Sequence, residues 1–225
     1  MILAATQAQQ EIINCRKRFL FLAAGRRWGK TATVRNRIIR QTVTHPRFKY
    51  WYCAPYYAQC KKEWNLLTRN RVFAKRIQSQ STQPFPYIRL HNGSEIGFRS
   101  LNRPESIRSE GLHEVWVDEL QDVPEETFVA VIRPLVSDLR GTLGASGQFR
   151  GYNWFYKSLY LPGQDPDSRS FRSWRFPSST GLEFQSAAGQ QELADAKLML
   201  PRALYDQEYD CIPSANEAAV FDPED

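Results

Sequence analysis

The chain has 225 residues, of which 42% are hydrophobic and 24% are charged. These are ordinary values for a globular protein, and the length suffices for one large domain with a well-buried core. No apolar run approaches the ~20 residues that a membrane span needs, and the first residues lack the basic flank of a secretory signal. The four cysteines show no metal-ligand spacing, so we expect free thiols in a reducing compartment.

Charge is distributed unevenly along the chain, although the net charge is only +6. Residues 1–112 hold 21 Lys and Arg against 5 Asp and Glu, whereas residues 113–225 hold 9 against 19. One nucleotide cannot use so many cations, so this excess favours a nucleic acid as a second partner. A basic face that contacts only solvent is the alternative interpretation.

The first predicted element is a short amphipathic helix for which Thr6 would be the N-cap. It carries Gln9 and Gln10, and each of these amides offers one donor and one acceptor, as the edge of an adenine requires. Taken alone, the same residues are also typical of glutamines that face solvent.

A phosphate-binding loop is the strongest local prediction. An apolar strand over residues 19–23 leads into Ala24-Gly25-Arg26-Arg27-Trp28-Gly29-Lys30-Thr31, and a helix over residues 31–43 follows. Unpaired N–H groups and the helix dipole favour a polyphosphate at such a helix start. Lys30 would reach the β- and γ-phosphates of ATP, and the Thr31 hydroxyl would bind Mg²⁺. The strict motif has Gly where Ala24 stands, so a chance Gly-Lys-Thr after a strand is the alternative.

Two adjacent acids follow a second apolar strand further along the chain. The segment His113-Glu114-Val115-Trp116-Val117 leads directly into Asp118 and Glu119. In P-loop enzymes the first acid at such a strand end holds Mg²⁺, and a carboxylate directly after it can deprotonate the attacking water. An ordinary acidic turn is the alternative. Because the loop and the acid pair predict each other, we identify the chain as an ATPase that uses ATP and Mg²⁺.

The remaining pattern predicts an α/β fold. Strands are predicted over residues 48–55, 141–146 and 171–176, and helices over residues 56–71, 124–139, 153–160, 190–200 and 203–209. Asn92-Gly93 predicts a hairpin turn within residues 84–100. We therefore expect a P-loop NTPase of the additional-strand, catalytic-glutamate class, with an inserted β-hairpin. Its central sheet would be mainly parallel and flanked by helices, with ligands at the carboxyl ends of the strands.

Several segments taken together resemble the ATPase domain of terminase large subunits from tailed bacteriophages. They are the loop that ends at Lys30-Thr31, Tyr52-Cys53-Ala54-Pro55 with Gln59, Val115-Trp116-Val117-Asp118-Glu119, residues 147–156, and the stretch from Leu200 to Phe221. The resemblance covers essentially the whole chain. It implies an ATP-driven motor that packs double-stranded DNA through a portal into a procapsid, in the cytoplasm of the host cell.

The resemblance also implies a role for each candidate site residue. Gln9 would read the adenine, with Gln10 as the alternative. The nucleotide-binding residues would be Gln9, Gly25, Arg26, Arg27, Gly29, Lys30 and Thr31. Thr31 and Asp118 would bind the metal, and Glu119 would be the catalytic base. Arg108 would reach the ATP of a neighbouring subunit or, alternatively, lie on the surface or contact DNA, and Gln148 would sense the γ-phosphate at a position where the family usually has Thr.

The resemblance further implies the partners and the domain boundaries. The partners would be double-stranded DNA, the portal protein and the small terminase subunit, in a homo-oligomeric ring on the portal, with a monomer in isolation as the alternative. Residues 1–213 would form the ATPase domain, and residues 214–225 would begin a linker to a nuclease domain, in a cut-down or a naturally short chain. We therefore expect no nuclease activity from these residues.

Two other functions stay open at this point. One is a helicase-like, DNA-stimulated translocase of the same ATPase class. The other is a nucleotide-gated DNA-binding or assembly module without significant turnover. Asp118 and Glu119 argue against the second, because a protein that only binds nucleotide needs no catalytic base.

Overall fold

The computed structural model describes residues 5–102, 107 and 111–213. The strands in this part of the chain are β1 (Phe19–Ala24), β2 (Lys49–Ala54), β3 (Ile77–Ser81), β4 (Tyr87–Leu90), β5 (Glu95–Ser100), β6 (Glu114–Val117), β7 (Thr142–Gly147) and β8 (Phe171–Phe176). They form one mostly parallel sheet in the order β3-β4-β5-β2-β6-β7-β1-β8. The predicted α/β class with a central sheet is therefore confirmed.

Apart from one short helix over Arg71–Ala74 that was not predicted, the helices follow the predicted order. They are α1 (Gln7–Asn14), α2 (Lys30–Thr44), α3 (Tyr57–Thr68), α4 (Arg71–Ala74), α5 (Glu125–Thr127), α6 (Ala187–Met199) and α7 (Arg202–Glu208). The helix predicted over residues 124–139 is irregular, because α5 continues as a π-helical turn over Phe128–Ile132 and a 3₁₀ turn over Arg133–Val136. Pro134 lacks an N–H group, so a regular α-helix cannot continue through it.

Other short turns complete the secondary structure. A π-helical segment covers Phe155–Tyr160, and 3₁₀ turns cover Leu120–Asp122, Leu161–Gln164, Ser178–Thr180 and Leu182–Gln185. Within the described residues, no helix is long and apolar enough to cross a membrane.

The chain divides into two compact units, which we describe separately. The first comprises the described residues of 1–19 and 31–145, and the second those of 20–30 and 146–225. In the first unit, β2 pairs in parallel with both β5 and β6, and β6 pairs in parallel with β7. All four residues of β6 are buried, as are the last five of β2. Such nearly continuous apolar runs are typical of parallel strands covered on both faces.

The first unit also contains the predicted hairpin, which is confirmed. β4 and β5 are antiparallel, and Gly93 has a φ of +81°, a left-handed conformation that suits the Asn92-Gly93 turn. No sequence pattern predicted β3, which pairs with β4 and contains an irregularity between Ile77 and Ser79. β3 is a polar edge strand, so hydrophobic alternation gave no signal for it.

A buried ion pair connects the helices and strands of the first unit. The guanidinium of Arg37, on α2, binds the carboxylate of Glu114, on β6, at 2.6 and 3.2 Å. Arg37 Nη1 also donates to the carbonyls of Ile12, Ile13 and Cys15 at the end of α1. These contacts hold α1 and α2 to the start of the strand whose other end carries Asp118.

The second unit contains most of β1, all of β8 and the loop between β1 and α2. An aromatic cluster follows β7: Phe149 packs against Phe155, Tyr156 and Tyr160, with ring centroids 4.9 to 5.5 Å apart. The side chain of Trp28 lies parallel to that of Phe176, at 4.6 Å and 7°. The contact of Trp28 with Phe176 therefore fixes the loop between β1 and α2, and the contacts of Phe149 fix the segment after Gln148.

Candidate nucleotide-binding site

The loop after β1 has the backbone conformation of a tight, glycine-dependent turn. Arg27 and Gly29 have φ values of +55° and +105°, and α2 begins directly afterwards at Lys30. Ala24, at the position of the missing first glycine, is the buried last residue of β1. It has no positive φ, so the strand needs no glycine there. The departure from the strict motif therefore leaves the turn itself intact.

Close packing behind the loop explains why Gly25 is needed. A Cβ atom at this position would lie 2.2 Å from the carbonyl oxygen of Tyr209 and 2.4 Å from Ser178 Oγ. The Ser178 hydroxyl donates to the carbonyl of Arg26 at 2.7 Å, and the N–H of Gly25 donates to the carbonyl of Phe176 at 3.0 Å. The loop is thus fixed from behind by the turn that follows β8.

The three cations of the loop have defined partners. Lys30 is buried, and its Nζ donates to the carbonyl of Ala24 at 2.8 Å. Arg26 pairs with Glu208 at 2.5 Å, and Arg27 pairs with Glu183 at 2.8 Å. Both guanidiniums are more than half exposed, so neither pair contributes much to stability.

Asp118 is the centre of a buried hydrogen-bond cluster in the first unit. It is only 2% exposed, and its Oδ2 accepts from the Thr31 hydroxyl and from the Tyr52 hydroxyl, both at 2.9 Å. Its Oδ1 accepts from the N–H of Glu119 at 3.1 Å. Its own N–H donates to the carbonyl of Cys53 at 2.8 Å, which extends the pairing of β6 with β2 by one residue. The Asp118 carboxylate is therefore held on several sides.

Glu119 departs from the strand direction immediately after Asp118. Its φ is +53°, a left-handed conformation that is uncommon outside glycine, Asn and Asp. Its Oε2 accepts from Gln121 Nε2 at 2.6 Å. Adjacent residues of a continued strand point to opposite faces, so this turn gives the Glu119 carboxylate a direction that a regular strand would not.

The oxygen ligands present suit Mg²⁺ better than a transition metal. Thr31 and Asp118 offer a hydroxyl and a carboxylate, and the Thr31 hydroxyl donates its proton while its oxygen keeps lone pairs. Within the described ranges, no group of three or more His, Cys, Asp or Glu could hold a metal by itself. Mg²⁺ is usually held by one or two protein oxygens together with waters and substrate phosphates, so these residues fit it.

A second buried carboxylate, which no sequence motif indicated, lies near Asp118. Glu63, on α3, is 2% exposed and binds Arg35 of α2 at 2.5 and 2.8 Å. Burial raises the pKa of Glu63; Arg35 opposes this increase, and the Asp118 charge adds to it. Burial and then the Asp118 charge likewise raise the pKa of Tyr52 well above its usual range. Tyr52 therefore stays protonated as a hydrogen-bond donor.

The two glutamines of α1 differ in their surroundings. Gln9 is buried, and it forms a capping box with Thr6: its N–H donates to the Thr6 hydroxyl at 3.2 Å, and its Oε1 accepts from the Thr6 N–H at 3.0 Å. Thr6 as the N-cap is thus confirmed. Gln10 is exposed, and its Nε2 donates to the carbonyl of Ala5 at 3.0 Å. Which of them contacts an adenine stays a prediction.

Gln148 and the predicted phosphate loop share a partner within the second unit. Gln148 is buried, and its Nε2 donates to the carbonyl of Glu208 at 2.8 Å. The same carbonyl accepts from the backbone N–H of Arg26, also at 2.8 Å. Glu208, at the end of α7, therefore contacts both a loop residue and the predicted γ-phosphate sensor.

Comparison with known families identifies the family of this chain. Residues 21–225 match the family described as terminase large subunit, T4likevirus-type, N-terminal. The chain belongs to this family. A comparison with curated protein sequences found no match.

Solved structures of large terminases share the fold of this terminase chain. The large terminase ATPase domain of Thermus phage P74-26 is 20% identical, with a TM-score of 0.77, and the match covers 92% of this chain and 93% of that one. The large terminase of another thermophilic bacteriophage, in complex with ATP-γ-S, is 16% identical, with a TM-score of 0.71 and coverages of 93% and 53%. The large terminase of bacteriophage HK97 is 12% identical, with a TM-score of 0.71 and coverages of 93% and 50%. The chain thus spans about half the length of the last two proteins.

Some predicted features of the terminase chain are not part of the described structure. Arg108 and residues 214–225 lie outside the described residues, so the intersubunit role and the linker stay predictions. Conversely, sequence reasoning missed Tyr52, Glu63 and Glu208 as neighbours of the site. Tyr52 and Glu208 each lie within one of the segments that carry the resemblance, but no local pattern indicated what they contact.

Proposed function

We propose that this terminase chain is an ATP-hydrolysing motor domain that moves double-stranded DNA into a viral procapsid. The observation that carries the proposal is the 2.9 Å hydrogen bond between the Thr31 hydroxyl and the Asp118 carboxylate, 87 residues apart in sequence. It joins the residue that follows Lys30 to the acidic end of β6. A shared site for phosphates and Mg²⁺ requires this proximity.

The roles at the nucleotide follow from chemistry and position. The Lys30 ammonium, which donates to the Ala24 carbonyl, would instead donate to β- and γ-phosphate oxygens. The N–H groups at the start of α2 would stabilise the same negative charge. Thr31 and Asp118 would hold Mg²⁺, which neutralises phosphate charge when bound. Gly25, Arg26, Arg27 and Gly29 would complete the loop around the phosphates.

Glu119 would act as the general base that takes a proton from the attacking water. Its carboxylate is oriented by Gln121 at 2.6 Å, and the left-handed backbone turns it away from the strand. A positioned base of this kind contributes about 10²–10⁴-fold to a rate. The adjacent Asp118 cannot easily take this role, because its carboxylate is bound into the cluster with Thr31 and Tyr52.

Gln148 would connect the state of the nucleotide to the segment that follows it. Its amide contacts the Glu208 carbonyl, which in turn contacts the loop at Arg26. The neighbouring Phe149 packs against three aromatic rings of the next helical segment. A shift at Gln148 would therefore move the whole segment from Tyr152 to Tyr160, which is the proposed mechanical output.

The partners of the motor are part of the same proposal. The excess of Lys and Arg in residues 1–112 would bind the DNA backbone, in a manner independent of sequence and sensitive to salt. Arg108 would reach the ATP of a neighbouring subunit in a ring on the portal protein, with the small terminase subunit as a further partner and the host cytoplasm as the location. Gln9 or Gln10 would contact the adenine.

The deciding experiment measures phosphate release by the parent chain and by Glu119→Gln, with and without duplex DNA. We expect Glu119→Gln to lose about 10²–10⁴-fold in rate while it still binds ATP. The exposed Glu126→Gln is the matched control and should hydrolyse ATP at the parent rate. An unchanged rate in Glu119→Gln would remove the assignment of the base.

The comparison of phosphate release with and without duplex DNA separates the motor from the alternative functions. We expect duplex DNA to increase the rate at low salt and to lose this effect at high salt. Tight ATP binding without turnover at any protein concentration would instead favour a nucleotide-gated binding module. A rate of ATP turnover per chain that rises steeply with protein concentration would support a catalytic residue supplied by a neighbouring subunit. Arg108→Ala should abolish that rise.

A further inference from the structure

Tyr52 contributes a buried hydroxyl to the candidate metal site. Its side chain lies on β2, and the residue is 2% exposed. The hydroxyl donates to Asp118 Oδ2 at 2.9 Å, and the same oxygen accepts from the Thr31 hydroxyl at 2.9 Å. Asp118, Thr31 and Tyr52 come from three different parts of one compact unit. The carboxylate is therefore fixed by contacts from two neighbours that are distant in sequence.

The sheet holds Tyr52 in this place. Tyr52 is paired in register with Trp116 of β6, and the Asp118 N–H bonds to the carbonyl of Cys53, which follows Tyr52. The Tyr52 ring also packs against Phe98, with centroids 6.1 Å apart. A ring confined in a packed core cannot follow a carboxylate that rotates, so its hydroxyl defines a fixed position for Oδ2.

We propose that Tyr52 is a positioning residue of the metal site, whose hydroxyl holds the Asp118 carboxylate in the orientation that faces Thr31. This rests on the proposed function, because that function assigns Mg²⁺ binding to Asp118 and Thr31. A carboxylate that is already oriented loses little conformational freedom when it binds a cation. Partners that orient metal ligands in this way typically change metal affinity by about 10–100-fold.

The chain offers a matched control on the same strand. Tyr50 lies two residues before Tyr52, so both side chains point to the same face of the sheet. Tyr50 is 0% exposed, and its hydroxyl lies near the carboxylate of Glu114, at the start of β6, whereas Asp118 follows the end of that strand. Tyr50→Phe and Tyr52→Phe therefore remove the same atom from similarly buried rings, but only Tyr52→Phe removes a hydrogen bond to Asp118.

The experiment measures Mn²⁺ binding to the full chain in the presence of saturating ADP, by the loss of the free Mn²⁺ signal in electron paramagnetic resonance. We expect Tyr52→Phe to weaken Mn²⁺ binding about 10-fold and Tyr50→Phe to change it less than about twofold. ADP binding in EDTA should be the same in all three proteins. In an Asp118→Asn background, Tyr52→Phe should have no further effect on Mn²⁺ binding, because the oriented carboxylate is gone.

The outcomes distinguish the two proposals. Equal Mn²⁺ affinity in the parent chain and in Tyr52→Phe would overturn the positioning role and leave the proposed function intact. Failure of the parent chain to bind ADP and Mn²⁺ at all would overturn the proposed function and the positioning role with it.

A second measurement covers the case in which Tyr52→Phe does not fold. The ¹³Cζ signals of labelled tyrosines in the parent chain report the hydrogen bonding of each hydroxyl. On addition of Mg²⁺ and ADP we expect the Tyr52 signal to shift and the Tyr50 signal, assigned with Tyr50→Phe, to stay in place. A Tyr52 signal that does not move would contradict the proposal.

Discussion

Arg26 and Glu208 are joined at two points. The backbone N–H of Arg26 donates to the Glu208 carbonyl at 2.8 Å, and its Nε pairs with the Glu208 carboxylate at 2.5 Å. The first contact depends only on the backbone, whereas the second depends on the side-chain charge. The two contacts can therefore be separated by changing the charge alone.

Glu208→Gln should bind ATP more tightly than the parent chain. If Arg26 binds phosphate as proposed, the carboxylate would compete with phosphate for its guanidinium, and its removal also takes a negative charge away from the loop. We expect the dissociation constant for ATP, measured by calorimetry at low salt, to fall about three- to tenfold, which corresponds to about 0.6–1.4 kcal/mol. Glu183→Gln, which releases Arg27, is the control and should show a smaller change, because that pair is more exposed. Weaker ATP binding by Glu208→Gln would contradict this interpretation.

Gln121→Leu should lower kcat about tenfold and leave the KM for ATP unchanged. Gln121 Nε2 donates to the Glu119 carboxylate at 2.6 Å, and if Glu119 is the proposed base, a change in its direction would affect the chemical step more than ATP binding. Steady-state phosphate release over a range of ATP concentrations separates the two parameters. Gln121→Glu, which places a like charge beside Glu119, should be impaired at least as much. A change confined to KM would show that Gln121 contacts the nucleotide instead.

Glu114→Gln should destabilise the fold by about 3–5 kcal/mol, because it leaves the guanidinium of Arg37 buried without its counter-ion. Both side chains of this pair are 1% exposed. Urea unfolding followed by circular dichroism measures the change. Glu95→Gln removes one partner of the exposed Arg89–Glu95 pair and should cost less than about 1 kcal/mol. Equal losses in the two variants would mean that burial does not set the energy of the Arg37 pair.

His113 should make the stability of the protein fall as the pH decreases below about 6.5. Burial, followed by the charges of Lys49 and His45, lowers the pKa of His113, and its Nδ1 accepts from the Lys49 N–H at 3.0 Å. The unfolded chain therefore takes up a proton on His113 at a higher pH than the folded chain does. The free energy of unfolding is therefore largest above the pKa of His113 in the unfolded chain, and it decreases as the pH falls through the lower pKa of the folded chain.

The measurement for His113 is urea unfolding at pH 7.5 and at pH 5.5. His113→Gln should lose less stability between these two pH values than the parent chain does. The exposed His91→Gln should keep the parent dependence. An identical pH dependence in His113→Gln and the parent chain would exclude this histidine as a contributor.

Local sequence was sufficient for the order of most of the elements and for the loop. The helix start at Lys30, the Asn92-Gly93 hairpin and the strand Phe171–Phe176 depend on turn chemistry and on short apolar runs, both of which act between neighbouring residues. The edge strand Ile77–Ser81 and the irregular helix after Pro124 were harder, because a polar strand and a π-helical turn carry no clear periodic signal.

By itself, the amino-acid sequence determined which residues could bind phosphate and metal, since glycine, lysine and adjacent acids have this chemistry wherever they occur. Only the tertiary structure decided which of these residues meet. The register of β2 against β6 brings Tyr52 to Asp118, and α3 brings Glu63 near the same carboxylate. Such contacts arise from packing between residues dozens of positions apart, so no local pattern in the chain specifies them.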